Sequence, residues 1–436
     1  MERRSIRYSM RIDKMANNSK LEKLNSMLAE CTHYYSQSIP LCAAENPISP
    51  FSKIPLSGDF QERYIMGSSY EYRLEDNFIG SNTLLPFYSM IHEECQVLFG
   101  AHYADARTLS GMNCLTTLLM SLTSLNEKIA ILPPTWGGHS SIQPVCERLG
   151  LQVYELPYDY SKWDINYDKA NNLIKREKIN YILLAPSDII HPPSVECFDL
   201  SNCTLLYDIS QLMGLIAAGL IPSPIKLKNA VIFGGTHKTL PGPASGLILT
   251  NDEEIHLRIE QKINPIFLRH TQMHQVISLL FALIEFEYYG KEYTEAIIKT
   301  SNQLGNTLAQ KGFQMGEISN HFSETHQLFI FCNYEEMLRI NQNAIRFGVT
   351  LNKKEKSLFK GSGIRLGTQE IARYGWNEED LSIICEIMAL LRDRNPNKEK
   401  IATMKEGLSP KEIHYTFSNS TLSKLTSALH HKQIEI

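Results

Sequence analysis

The chain has 436 residues, 43% hydrophobic and 21% charged, ordinary proportions for a soluble globular protein of two or three domains. A formal charge of −4 gives no electrostatic case for nucleic acid or an acidic membrane as partner. Nine cysteines without CxxC or Cys/His spacing indicate neither a metal site nor a disulfide framework, and fit reduced thiols in the cytoplasm.

The opening "MERRSIRYSMRIDKM" is basic but lacks the apolar core of a signal peptide, and no run of 18 apolar residues predicts a membrane span. Residues 1–52 read as an N-terminal extension and arm, with a helix over 18–32 from apolar spacing near 3.6. Residues 53–290 read as a large domain. Its strand candidates are "KIAILPP" (128–134), "LQVYELP" (151–157), "INYILLAPS" (179–187), "CTLLYDIS" (203–210), "NAVIFGG" (229–235) and "GLILT" (246–250). Their continuous hydrophobicity predicts burial on both faces, hence an α/β fold with a mostly parallel sheet between helices. A long helical stretch follows from about residue 275, with Gly290 and Gly305 as interruptions. Residues 291–396 read as a smaller α+β domain, and 397–436 as a polar, poorly anchored tail with one short helix.

In an open α/β sheet, ligand groups gather at the C-terminal ends of the strands. Asp208 ends "LLYD", Lys238 follows "VIFGGTH", and Ser110 and Gly111 open a helix after "ARTL". A helix start cradles phosphate through free N–H groups. A buried lysine can form a Schiff base, and a carboxylate can keep a pyridinium nitrogen protonated. Together the three describe a pyridoxal phosphate site. Each alone also suits a cap or an ion pair, so these residues by themselves leave both readings open.

Six collinear segments resemble serine hydroxymethyltransferase, over most of residues 20 to 395. They are "LCAAENPISP" (41–50), "GAHYADARTLSGMNCLTTLLMSL" (100–122), "PTWGGHSS" (134–141), "YDISQLMGLIAAGL" (207–220), "THKTLPGPASGLIL" (236–249) and "GSGIRLGTQEIARYG" (361–375). The resemblance implies a fold-type-I pyridoxal phosphate-dependent transferase with a seven-stranded-type sheet, acting as a homodimer or dimer of dimers. It implies that Lys238 bonds the cofactor and Asp208 holds its ring nitrogen. Ser110, Gly111 and Met112 would hold the phosphate, and Ser187 would contact the ring. His237 precedes the lysine as in the family, and Arg365 would grip a substrate carboxylate in a bidentate fork. Tyr64 matches an active-site tyrosine that reaches across a dimer interface.

The departures are informative. The family's acid/base glutamate is Met66 here, and its next tyrosine pair is Phe78-Ile79-Gly80. Ala44 replaces a serine, and the partner's Gly-Gly phosphate loop maps to Arg269-His270, where Arg269 would meet the phosphate as a charge. Trp136 takes the place of the ring-stacking histidine, and Gln211 that of a histidine near cofactor and substrate. His139 and His191 read as structural hydrogen-bonders, and Met112 and Cys114 as helix packing. With Lys238, Asp208 and Arg365 kept while folate-facing groups are lost, the expected activity is folate-independent chemistry at Cα of a small amino acid. Aldol cleavage, or transfer of the resulting glycine unit to an aldehyde co-substrate, leads. Racemisation by Lys238 and Tyr64 is the alternative, then folate-dependent hydroxymethyl transfer, then a cofactor-binding regulatory protein.

Overall fold

In a computed structural model, residues 19–65 and 80–429 are described; the basic opening stretch and Met66, Phe78 and Ile79 lie outside them. Helix α1 (Ser19–Gln37) begins the described chain, and Leu24, Met27, Leu28 and Tyr35 on it are exposed. Ile39–Pro40 then pairs in parallel with Val349–Thr350, which lays residues 39–46 along the smaller domain and carries them into the cleft.

The large sheet contains β1 (Tyr103–Asp105), β2 (Lys128–Ile131), β3 (Gln152–Glu155), β4 (Tyr181–Leu184), β5 (Thr204–Asp208), β6 (Ala230–Gly235) and β7 (Gly246–Thr250). Its order is β1-β7-β6-β5-β4-β2-β3, and only β7 runs against the others. Each strand read from the sequence is present; β1, three residues long, is too short to show a pattern. The central strands alternate between two cores. Ile182 and Leu184 of β4 enter one, with Leu205 and Ile232, while Tyr181 and Leu183 enter the other, with Leu206 and Phe233. Burial on both faces is why these strands read as unbroken apolar runs. Helix α2 (Gly111–Leu122) covers the second face.

Helix α3 (Met273–Gln310) is continuous for 38 residues, so Gly290 and Gly305 do not interrupt it. Both serve packing: a Cβ would come 2.5 Å from the Phe286 ring at Gly290 and 2.7 Å from Phe322 at Gly305. Tyr293 and Ile297 belong to the large core, Leu304 and Leu308 to the small one. The boundary expected after residue 290 therefore falls inside one helix shared by both domains. The small domain carries an antiparallel sheet of β8 (Gln314–Met315), β9 (Gln327–Phe331), β10 (Asn352–Lys354) and β11 (Gly363–Gly367), in the order β8-β9-β11-β10.

The C-terminal region is held more firmly than its polarity suggests. It forms two helices, α4 (Lys398–Glu406) and α5 (Asn419–Leu429), rather than one. Ile401 is buried in the small core, and the Phe417 ring lies 4.8 Å from that of Phe51 and 5.3 Å from that of Tyr288. Arg373 ties this segment down: Nη1 donates to the Tyr415 carbonyl at 2.9 Å, and Nη2 pairs with Glu285 at 2.8 Å. The Thr416 hydroxyl donates to the same carboxylate. A few anchors on long side chains hold it, and such anchors leave no periodic trace in sequence. Replacing Arg373 by Ala strips a buried carboxylate of its cation, and the expected loss is about 3–5 kcal/mol. Urea unfolding measures it; an unchanged midpoint would show that the pair does not fasten the tail.

Candidate active site

Lys238 lies three residues past the end of β6, where the strand ends of the large domain meet the small domain. Burial pushes its ammonium below the ordinary lysine value; Asp208 opposes that shift and Arg365 adds to it. Three of the expected residues thus share one electrostatic neighbourhood. The backbone here is fixed from outside the strand. The Asn46 amide donates to the Lys238 carbonyl and, at 2.7 Å, to the Tyr293 hydroxyl, which donates to the Gln369 carbonyl at 2.9 Å. Asp208 ends β5, and its Oδ1 accepts from the Ser210 amide at 2.8 Å and from the Ser210 hydroxyl. Ser210 Oγ in turn accepts from the Gly235 amide at 2.8 Å, which locks the ends of β5 and β6 together.

Ser110 caps α2, its hydroxyl oxygen accepting from the Asn113 amide at 3.1 Å. The helix begins at Gly111, so its first amides point away from the helix body as an anion cradle requires. Met112, expected in helix packing, is instead exposed at this helix start, while Cys114 is buried as expected. His237 is half-buried, with Nδ1 lacking a protein partner, and burial beside Lys238 pulls its imidazole down to about 4.

Arg365 is gripped more fully than the sequence suggested. It sits on β11 between Asn352 of β10 and Phe329 of β9. Nε and Nη2 both donate to Asn352 Oδ1, at 3.2 and 2.7 Å, and Nη1 donates to the Ser187 carbonyl at 2.7 Å and to Asp188 at 3.0 Å. The fork expected to stand open for a carboxylate is met by an amide oxygen in this structure. Asp188 had not been singled out. Its carboxylate is fully enclosed and also takes Lys354 at 2.7 Å and Lys356 at 2.6 Å. Burial pushes its carboxyl up, but Arg365, Lys354 and Lys356 together outweigh that and hold it below the usual range.

In "PTWGGHSS", Trp136 packs among aromatic side chains, and His139 makes a structural hydrogen bond as expected while also sensing the site. The Trp136 ring stacks on Tyr158 at 5.3 Å, within the aromatic group that includes Tyr160 and Trp163. His139 is the residue whose titration feels Asp208 and Lys238; burial is the largest effect and holds it neutral and below its ordinary value. The turn between them needs glycine: Gly137 has φ of +100°, and a Cβ there would lie 2.5 Å from the Asp188 carbonyl. His139 Nδ1 accepts from the Ser141 amide at 3.2 Å, which assigns the proton to Nε2. His191 pairs with Glu324 at 2.6 Å, a structural contact as expected. Gln211 is buried, its Oε1 accepting from Gln327 at 2.9 Å, and Gln327 also reaches the Ser187 carbonyl at 3.1 Å.

Tyr64, Arg269 and His270 stand apart as a surface group. The Tyr64 and His270 rings stack at 4.2 Å, with Tyr64 and Arg269 exposed. His326 was missed altogether. It is fully buried, pulled down to about 3 by burial, and contacts the Ala43 carbonyl at 3.1 Å. Asp188 has a signal in the sequence, since it follows Ser187 at a strand end; Lys354 and Lys356 lie in "NKKEK", a charge run that looks like a solvated surface.

A family model described as serine hydroxymethyltransferase matches residues 22–388. Serine hydroxymethyltransferases of Sulfolobus acidocaldarius and Pyrobaculum aerophilum are each 28% identical to the chain; the first match spans 94% of this chain and 97% of the relative, the second 91% and 94%. Among solved structures, L-threonine transaldolase from Pseudomonas fluorescens superposes with a TM-score of 0.87 at 22% identity, covering 97% of this chain and all of that one. That likeness shows the fold.

Asp188→Asn tests the cluster without changing its size. A depressed carboxyl stabilises the native state above its unfolded pKa of about 3.9, and that contribution is lost as pH falls through the folded value. The variant is expected to lose about 3–5 kcal/mol at pH 7 and to show a flatter acid-unfolding profile. Equal stability of the two proteins from pH 7 down to pH 3 would contradict the geometry.

Proposed function

The chain belongs to the serine hydroxymethyltransferase family of fold-type-I pyridoxal phosphate enzymes acting at Cα of an amino acid, and from that premise we propose that its reaction is folate-independent aldol cleavage or transaldol transfer. The observation that carries this reading is Lys238, partly exposed yet desolvated enough to be pulled below the ordinary lysine value, with Asp208 and Arg365 both acting on it. A displaceable amine, a partner for a ring nitrogen and a carboxylate anchor thus share one electrostatic neighbourhood.

The residues fit the cofactor. Lys238 is held toward its neutral, nucleophilic form, and Asp208 offers its carboxylate to the ring nitrogen. Ser110 and the amides of Gly111 and Met112 would take the phosphate, and Ser187 and Gln211 would flank the ring. Neutral His139, whose titration feels both Asp208 and Lys238, would offer its flat face to the ring. Pyridoxal phosphate, when bound, supplies the electron sink that makes a bond to Cα labile.

Arg365 orients the substrate by its carboxylate, which displaces Asn352 from the fork. With the amino acid so held, the Cα–Cβ bond of a β-hydroxy substrate would break as the hydroxyl proton passes to a base, for which the neutral amine of Lys238 is available, and the departing fragment becomes an aldehyde. The bonding pair stays at Cα until a proton or a second aldehyde takes it up. His237 stays uncharged at neutral pH, and its buried Nδ1, without a partner among the described residues, would hydrogen-bond a bound ligand. Tyr64, Arg269 and His270 face a neighbouring copy's pocket in this reading, which also gives the exposed apolar residues of α1 a partner. The assembly is then a homodimer or a dimer of dimers. Nine free cysteines suit the reducing cytoplasm.

Folate independence rests on Met66, which moves no proton, and Ile79, which offers no hydroxyl. Each unpaired polar edge of a buried pterin costs about 1–3 kcal/mol. The purified protein is expected to release glycine from β-hydroxy amino acids without folate, and to show no acceleration of serine conversion by tetrahydrofolate. Serine turnover that depends on tetrahydrofolate would overturn the proposal.

A further inference from the structure

The charges around Asp188 do not balance. Arg365, Lys354 and Lys356 meet one carboxylate, which leaves two positive charges in excess in a mostly buried cluster. Among the described residues, no other carboxylate forms an ion pair with these three cations. Glu355, between the two lysines in sequence, is engaged by Lys353 at 3.0 Å. Burial raises the Cys42 thiol, and His139 and His326 are held neutral. Burial and Arg365 together pull Lys354 down to about 8, the response of an ammonium crowded by cations. A substrate α-carboxylate on Arg365 removes one excess charge and leaves another, and an uncompensated buried cation is costly.

The leftover donors have a place and a direction. Lys354 ends β10 and Lys356 lies two residues on, with side chains 15% and 18% exposed, so both keep some contact with solvent beside Arg365. Each contributes one contact to Asp188, on Oδ1 and Oδ2 respectively, and an ammonium carries three N–H donors. Asp188 fixes the two ammoniums side by side, next to the arginine that anchors the amino acid.

Resting on the reading of Arg365 as the α-carboxylate anchor, we propose that Lys354 and Lys356 form a second anion subsite, which selects substrates whose fragment beyond Cβ ends in a carboxylate or phosphate. The same group rides on the β-hydroxy amino acid before cleavage and on the aldehyde after it. The subsite therefore serves the reaction in both directions. It also explains why two lysines are held against one aspartate that Arg365 alone would satisfy.

Two measurements test this on the holoenzyme. With glycine as donor, succinic semialdehyde, glyceraldehyde 3-phosphate and the neutral pentanal are compared as acceptors. Either anionic aldehyde is expected to exceed pentanal in kcat/KM by at least about tenfold, and the advantage should shrink about tenfold in Lys354→Met and in Lys356→Met, each measured separately. The faster anionic aldehyde distinguishes a carboxylate from a phosphate subsite. Succinate, which has neither amine nor aldehyde, is titrated by calorimetry, and its Kd should rise about tenfold in either variant. Equal rates for charged and neutral aldehydes, or succinate binding indifferent to both lysines, would overturn the subsite. If no aldehyde is consumed at all, the aldol reading fails, and the succinate titration still decides the subsite.

Discussion

A carboxylate enclosed between two domains holds three cations, and much of the site depends on it. Asp188 comes from the turn after β4 in the large domain, while Arg365, Lys354 and Lys356 come from the small one. Bringing four charges out of water is expensive, and their mutual attraction repays it only where geometry is tight and remaining donors are satisfied. Here Asn352 and the Ser187 carbonyl complete the arginine. The cluster thus does for the two domains what the shared helix α3 does along its length: it sets their relative position, and with it the distance from Arg365 to Lys238.

That placement gives Lys238 its character. Its segment is pinned through Asn46, Tyr293 and Gln369, which belong to three different parts of the chain. Residues 39–46 are led to this point by the pairing of Ile39–Pro40 with Val349–Thr350 and held there by Gln369, which donates to the Cys42 and Glu45 carbonyls. The lysine is desolvated by the closing of the cleft, and Asp208 and Arg365 pull on its titration in opposite directions. A lysine in such surroundings spends more time as a free amine, the form that attacks a carbonyl.

Much of this was legible in the sequence, for identifiable reasons. Strands buried on both faces announce themselves as apolar runs, and Lys238, Asp208 and Ser110 stand at strand ends or a helix start, where chemistry collects. Residues whose role comes from distant partners were not legible. Asp188 is one position from Ser187, yet its meaning depends on cations far downstream. Trp136 stands in sequence where the family's ring-stacking histidine does, and its packing on Tyr158 is a contact that only the fold reveals. Gly290 and Gly305 read as breaks because helical glycine usually weakens a helix, but each makes room for a phenylalanine. The tail read as loose because its anchors are single residues: Ile401, Tyr415, Thr416 and Phe417.

The claim on which the functional account stands is that Lys238 is the residue bonded to the cofactor. Borohydride reduction of the holoprotein followed by peptide mass mapping tests it directly. The expected result is loss of the visible absorbance band, with the reduced cofactor on the peptide containing Lys238. Attachment to another lysine, Lys354 or Lys356 above all, or no attachment anywhere, would contradict it.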